Sequence, residues 1–168
     1  MNAVMLSIKN ATVADIPLIQ ALTEKIWRPT YKDILTPAQI DYMIDLMYSS
    51  ASLNRQIAEL HHRFILLYDA ETAIGFAAYS TTDIPGIYKL HKIYLDSSYQ
   101  GQGVGKFLLN AVIDRVKTAQ GHILELDVNR YNKARFFYEK QGFSIVKEKD
   151  TDIGNGYLMN DYVMQKSV

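Results

Sequence analysis

The sequence predicts a mixed α+β fold: one central, twisted, mostly antiparallel sheet of seven strands, flanked by helices. Three observations carry this. Apolar residues recur at helical spacing in the first third of the chain and change to strand-like alternation in the middle. A glycine-rich stretch, "YQGQGVGKFLLN" at Tyr99–Asn110, stands between a strand pattern and a helix pattern. The chain has 168 residues, enough for one domain that buries roughly 70% of its unfolded surface.

The elements follow in order. Leu6 and Ile8 alternate as a first strand. Thr12 offers an N-cap hydroxyl with Asp15 at the capping-box spacing. Ile16, Ile19, Leu22, Ile26 and Trp27 then share one helical face through "ADIPLIQALTEKIW". Pro17 falls in the early turns, where proline is tolerated. Thr36-Pro37 opens a second helix with Ile40, Met43, Ile44 and Met47 as its stripe, and "SLNRQIAELHH" reads as a short third. "RFILLYDA", "AIGFAAYST" and "GIYKLHKIYLD", separated by turns at Asp69–Thr72 and Pro85-Gly86, form an antiparallel meander. After the glycine stretch, Val104, Phe107, Leu108, Ala111, Val112 and Val116 share the face of a long helix that Gly121 ends. "HILELDV" alternates as a strand, and "NKARFFYEKQ" is a helix stopped by Gly142. Phe143–Lys149 and Tyr157–Lys166 are two last strands around "DIGNG". The order is β-α-α-α-β-β-β-α-β-α-β-β, with no repeat or linker, so residues 1–168 read as a single domain. The strand–loop–helix–strand unit around the glycines should be a parallel, right-handed crossover.

Composition excludes several functions. Eighteen basic and 18 acidic residues cancel, which argues against a nucleic-acid binder. There is no cysteine, so disulfides, thiol nucleophiles and zinc–thiolate sites are out, and no tight His/Asp cluster suggests a metal. The N-terminus reads as a strand rather than a signal peptide, and no apolar run is long enough to span a bilayer. A cytoplasmic location is the default expectation.

The glycine stretch fails two familiar nucleotide loops. The dinucleotide fingerprint needs a glycine where Lys106 stands. The Walker loop needs glycine where Gln100 stands and a hydroxyl where Phe107 stands. What remains is a run of backbone N–H groups at a helix N-terminus, which favours an anion without needing a metal, with glycines that let a ligand approach closely. A turn serving only tight strand–helix packing is the plain alternative.

"QGQGVG" fits Gln/Arg-x-x-Gly-x-Gly/Ala through Gln100, Gly103 and Gly105. Here the chain resembles the GNAT superfamily of acetyl-CoA-dependent N-acetyltransferases. "NRYNKARFFYEKQGF" is similar to that family's second element through Asn132, Ala134, Phe137, Tyr138, Gly142 and Phe143. The resemblance implies a GNAT-like fold with a splayed strand pair and acetyl-CoA as cosubstrate. It implies that N–H groups across Gln100, Gly101, Gln102, Gly103, Val104, Gly105 and Lys106 cradle the pyrophosphate. The backbone of Ile93, Tyr94 and Leu95 should pair with the pantetheine arm, Asn132 should contact the cofactor, and Tyr138 should lie beside the sulfur. It also implies a homodimer, formed through the C-terminal strands.

The chemistry asks for such groups. A primary amine attacks the thioester, an oxyanion forms and a thiolate leaves, so an N–H near Ile93–Leu95 and the neutral Tyr138 hydroxyl suit the oxyanion and the thiolate. An alkyl ammonium is neutral in only about one molecule in 2,500 at pH 7, so a base or water chain is expected. His91, two residues before Ile93 on a regular strand, is the candidate base, with Glu125 and Asp127 as alternatives; the resembled family often has glutamate about there. His61, His62 and His122 read as solvent-facing. Asp33, Asp41 and Asp45, among Tyr31, Tyr42, Met43, Met47 and Tyr48, suit an elongated cation, and "IWRPTYKDIL" with the tail "GYLMNDYVMQK" faintly resembles bacterial spermidine/spermine acetyltransferases. Asp41 and Asp45 fit the polar side of an amphipathic helix equally. The leading expectation is therefore direct acetyl transfer to a small cationic amine. A peptide, protein N-terminal or lysine acetyltransferase and a non-catalytic acyl-CoA-binding module are the alternatives.

Overall fold

Local signals place each element where its caps allow. Thr12 and Asp15 form the expected capping box: the Thr12 N–H donates to the Asp15 carboxylate at 2.8 Å, and the Ala14 N–H donates to the Thr12 hydroxyl at 3.3 Å. The box opens a short 3₁₀ turn, Val13–Asp15, that runs into helix α1, Ile16–Tyr31, in this computed structural model of residues 3–168. Met1 and Asn2, the first residues of the expected 1–168 domain, lie outside the described residues. The helix continues beyond Trp27, where the sequence pattern ended, through Pro29 to Tyr31. Burial of Ile26, Trp27 and Tyr31 holds that last turn against the missing proline donor. Helix α2, Pro37–Tyr48, starts as expected, with the Gln39 N–H donating to the Thr36 hydroxyl. Helix α3 covers Ser50–Ala58 and stops before the histidines, because His61 has a positive φ of 56°.

The strands are β1 (Leu6–Asn10), β2 (Arg63–Asp69), β3 (Thr72–Thr81), β4 (Ile87–Leu95), β5 (Ile123–Asn129), β6 (Ser144–Gly154) and β7 (Tyr157–Ser167). They form one seven-stranded sheet in the order β1-β2-β3-β4-β5-β7-β6. Among the described residues only β4 and β5 pair in parallel, joined through helix α4, Val104–Thr118, as the crossover rule expects. Helix α5, Ala134–Lys140, connects β5 to the last hairpin.

The sheet has a core on each face. Ile65, Leu67, Ala77 and Leu90 pack with α4 and Tyr138, while Phe64, Leu66, Phe76 and Ala78 pack with α1–α3. Helix α4 is rotated from the expected face. Val104, Leu108, Leu109, Val112, Ile113 and Val116 are its buried residues, whereas Phe107 is 40% exposed. Apolar residues occupy too much of this helix's circumference for spacing alone to select the stripe that meets the sheet.

Two irregularities create the site. Strand β4 pairs with β5 only over Ile87–Leu90 against Ile123–Leu126, yet it runs on to Leu95 while β5 runs on to Asn129. The sheet therefore opens between them. Against β3, Lys92 pairs with Ala78 but Leu90 pairs with Tyr79, so His91 is the extra residue of a bulge. Leu90 and Ile93 consequently face the same core, and the regular alternation expected to set His91 beside Ile93 is broken.

Candidate active site

The glycine stretch opens on unpaired donors. Gln100 uses its own N–H on the Ser97 carbonyl at 3.2 Å, which removes it from the expected cradle. The first bonded N–H of α4 is that of Phe107, to the Gly103 carbonyl at 3.1 Å. Among the described residues, the N–H groups from Gly101 to Lys106 have no protein acceptor. Gly101 and Gly103 have φ of 78° and 77°, and a Cβ on either would meet no protein atom within 4 Å. Glycine is needed here for backbone conformation and leaves the approach open. In Gly103→Ala, the left-handed conformation costs about 1–2 kcal/mol and the methyl enters that open space.

This loop forms one end of a single cleft of about 940 Å³ that passes through the splay. The cleft is lined by Ile93, Tyr94 and Leu95 on one side and Asn132 and Tyr138 on the other. Asn132 accepts the Ala134 N–H at 2.9 Å, which starts α5. Tyr138 is buried between Phe137 and Phe143, with ring centroids at 5.4 and 5.8 Å. Burial, and to a lesser degree Tyr31, pushes its hydroxyl pKa above the ordinary value, so it stays protonated at physiological pH. Among the described residues this hydroxyl has no hydrogen-bond partner. Tyr94 instead turns its hydroxyl to Tyr31, at 3.1 Å.

His91 lines the cleft but is held elsewhere. Its Nε2 lies 2.7 Å from the Ser80 hydroxyl, and its ring stacks on His62 at 3.9 Å. His62 is thus not solvent-facing as expected; it is half-buried with an unpaired Nδ1, whereas His61 and His122 are exposed. Burial first, then His62, Lys92 and Lys89, lowers the His91 pKa to about 3. A base that weak would take a proton from an alkyl ammonium against about 10 kcal/mol. Its ring is neutral across the working range, so His91→Ala should keep the wild-type shape of the pH–rate profile between about pH 5 and 9. A displaced acid limb in that profile would give the ring a proton-transfer role.

Sequence reading passed over two further groups. Lys92 is buried, donates to the Gln56 amide oxygen at 2.7 Å and lies over the Tyr48 and Phe64 rings; burial lowers its pKa to about 8. Asp161, in β7, is 4% exposed and lines the cleft. An aspartate inside the alternating strand "YLMNDYVMQ", where that residue type is depleted, was the available signal. Of the alternative bases, Glu125 accepts from Gln165 at 2.8 Å. Asp127 pairs through Oδ2 with Lys89 at 2.9 Å and Lys149 at 3.2 Å, leaving a buried, unpaired Oδ1.

The cleft's far end is aromatic and thioether-rich: Trp27, Tyr31, Met43, Met47 and Tyr48 line it, with Leu158 and Met159 from β7. The expected acidic wall is not there. Asp33, Asp41 and Asp45 are exposed and off the cleft, and Asp41 pairs with Arg28 at 2.8 Å. Tyr42 packs on Tyr157 instead. Helix α2 fastens to the last hairpin through the Gln39 amide on the Leu158 carbonyl, at 3.1 Å, and the Tyr42 hydroxyl on the Ile153 carbonyl, at 2.6 Å.

Comparison with known proteins agrees with this geometry. Residues 32–166 match the family described as Acetyltransferase (GNAT) domain. The chain is 32% identical over 99 residues to N-alpha-acetyltransferase RimI of Mycobacterium tuberculosis, covering 57% of this chain and 61% of that protein. It is 39% identical over 80 residues to the [Ribosomal protein bS18]-alanine N-acetyltransferase of Haemophilus influenzae, covering 48% of this chain and 53% of that protein. The chain thus spans between about half and three fifths of these curated relatives. The crystal structure of PaiA N-acetyltransferase from Thermoplasma acidophilum in complex with coenzyme A superposes with a TM-score of 0.80, at 26% identity, over 98% of this chain and 99% of that one.

Proposed function

The chain belongs to the GNAT acetyltransferase family, and from that premise we propose that it transfers acetyl directly from acetyl-CoA to a primary amine. One observation carries the reading: the unpaired N–H run from Gly101 to Lys106, the free edge of β4 and the unpartnered Tyr138 hydroxyl all open on one cleft. Bound acetyl-CoA would supply an activated acetyl thioester. The N–H run and the α4 terminus hold the pyrophosphate, with Lys106 beside them. The unpaired backbone edge of Ile93–Leu95 holds the pantetheine amides as an added strand would, and Asn132 offers its amide nitrogen. An N–H of that edge would polarise the thioester carbonyl, and Tyr138 would donate to the leaving sulfur.

The names of two relatives support a protein α-amine as an acceptor. The polyamine reading loses the carboxylates on which it rested, since Asp33, Asp41 and Asp45 lie off the cleft. A homodimer through the C-terminal strands would run along β6, the sheet's outer strand, where Ile145 and Val146 are exposed. Thiol release from acetyl-CoA over a panel of amines and peptides tests the proposal. Release with at least one acceptor is expected. Coenzyme A binding with no release for any acceptor would favour the non-catalytic module.

A further inference from the structure

We infer that Asp161 docks the acceptor's ammonium and takes its first proton, and that the acceptor bears one primary ammonium on an apolar body. The inference rests on the acetyltransferase reading above and goes on to name the acceptor's chemistry.

Asp161 sits in β7 opposite Asn129 of β5 and Lys149 of β6. Its backbone carbonyl accepts from Arg130 at 3.2 Å, but among the described residues its carboxylate has no hydrogen bond and no ion pair. The cations that face it are engaged by other carboxylates, although Lys149, Lys89 and Arg130 still favour its ionised form. Asp127 on β5 holds both Lys89 of β4 and Lys149 of β6. Arg130, after β5, reaches Asp150 at 2.7 Å and Glu148 at 4.0 Å. Tyr31 of α1 lies within electrostatic reach of Asp161 and of Tyr138. A buried carboxylate without a partner is costly, and an ammonium carries the three donors that would satisfy it.

The surroundings define the rest of the acceptor. Trp27, Tyr31, Met43, Tyr48, Leu158 and Met159 offer apolar contact around the cleft. A second or third ammonium, as on a polyamine, would meet Lys92, which lines the same cleft and, among the described residues, is held only by the neutral Gln56 amide. An aryl-alkyl amine and a chain N-terminus beginning with an apolar residue share the favoured chemistry.

In the step, an N–H bond of the ammonium breaks and its proton passes to Asp161. The freed lone pair forms the bond to the thioester carbonyl carbon, and the C–S bond breaks. The sulfur takes a proton from Tyr138. The nitrogen loses its second proton through water to the tyrosinate, and Asp161 returns its own to solvent. One ammonium and one thioester thus give one amide, one thiol and one released proton. Burial, then Asp127, raises the Asp161 pKa to about 6, so it is mostly ionised yet proton-accepting at neutral pH.

The test compares wild type with Asp161→Asn, both saturated with coenzyme A, by calorimetry with 2-phenylethylamine, a peptide bearing a free N-terminal methionine, and spermidine. Wild type should bind one or both apolar probes at least tenfold more tightly than spermidine, and the variant should lose that binding about tenfold. Turnover should fall about 100-fold in kcat/KM, and the acid limb near pH 6 should vanish. The variant's Tm at pH 7 should rise. A folded pKa above the unfolded value means stability fully present below about pH 4 and lost as pH climbs through 6, and asparagine removes that loss. Equal binding of the probes by the variant, or tighter binding of spermidine by wild type, overturns the inference. Binding that depends on Asp161 without thiol release would leave the docking role standing and sink the transfer reading. Release that survives Asp161→Asn within twofold does the reverse.

Discussion

Tyr138→Phe is expected to bind coenzyme A as tightly as wild type and to lose about 10²–10³-fold in kcat. The substitution removes one oxygen that has no protein partner and leaves the packing against Phe137 and Phe143 intact. Stability should therefore change by less than about 0.5 kcal/mol. The loss falls on the departing thiolate, which the proposed chemistry leaves without a donor. Because burial holds the hydroxyl pKa above its ordinary value, the deficit should be equal across pH 6–9. Steady-state rates over that range, with coenzyme A affinity measured alongside, make the check. An unchanged kcat would remove Tyr138 from the chemistry.

Gly75→Ala should lose stability through a single added methyl. Gly75 lies in β3 opposite Leu95, and a Cβ there would stand 2.6 Å from the Tyr94 carbonyl oxygen. That neighbour is backbone and cannot rotate away, so the strand pair itself must move. Overpacking of this kind costs about 1–3 kcal/mol, which lowers Tm by roughly 3–10 °C in a protein of this size. Beyond Leu90, β4 has no strand on its other side, so it yields into the cleft. Coenzyme A affinity should fall with Tm. A variant that melts with wild type would show that β4 accommodates the methyl without moving.

The order of helices and strands was legible because each has its own apolar period and its own caps. Thr12–Asp15, Thr36-Pro37 and the Gly101/Gly103 pair act within a few residues of themselves, and all three behave as their spacing suggests. What escaped depends on partners distant in the chain. Nothing near His91 announces the extra residue that bulges β4 or the ring of His62 beneath it. Phe107 and Leu109 are equally apolar, and only the docked sheet decides which is covered. The apolar pattern stops at Trp27, yet the buried Trp27 and Tyr31 carry α1 on past Pro29. Asp161 is an odd residue for its strand in the sequence, but its lack of a partner shows only once the nearby lysines are seen to be engaged with Asp127.

The fastening of α2 to the last hairpin has an evolutionary consequence. The groups read as holding the nucleotide come from one contiguous stretch, β4 through α5, whereas the opposite end of the cleft is assembled from α1, α2 and β7, far apart in the chain. Within that acceptor end, the chain-distant pieces meet through the Gln39 and Tyr42 side chains bonding backbone carbonyls of the hairpin. Backbone carbonyls are present whatever residues occupy the hairpin. Substitutions there can remodel the acceptor chamber while the clasp persists and the nucleotide end stays untouched, so a lineage built on this scaffold is free to diversify its acceptors without relearning its donor.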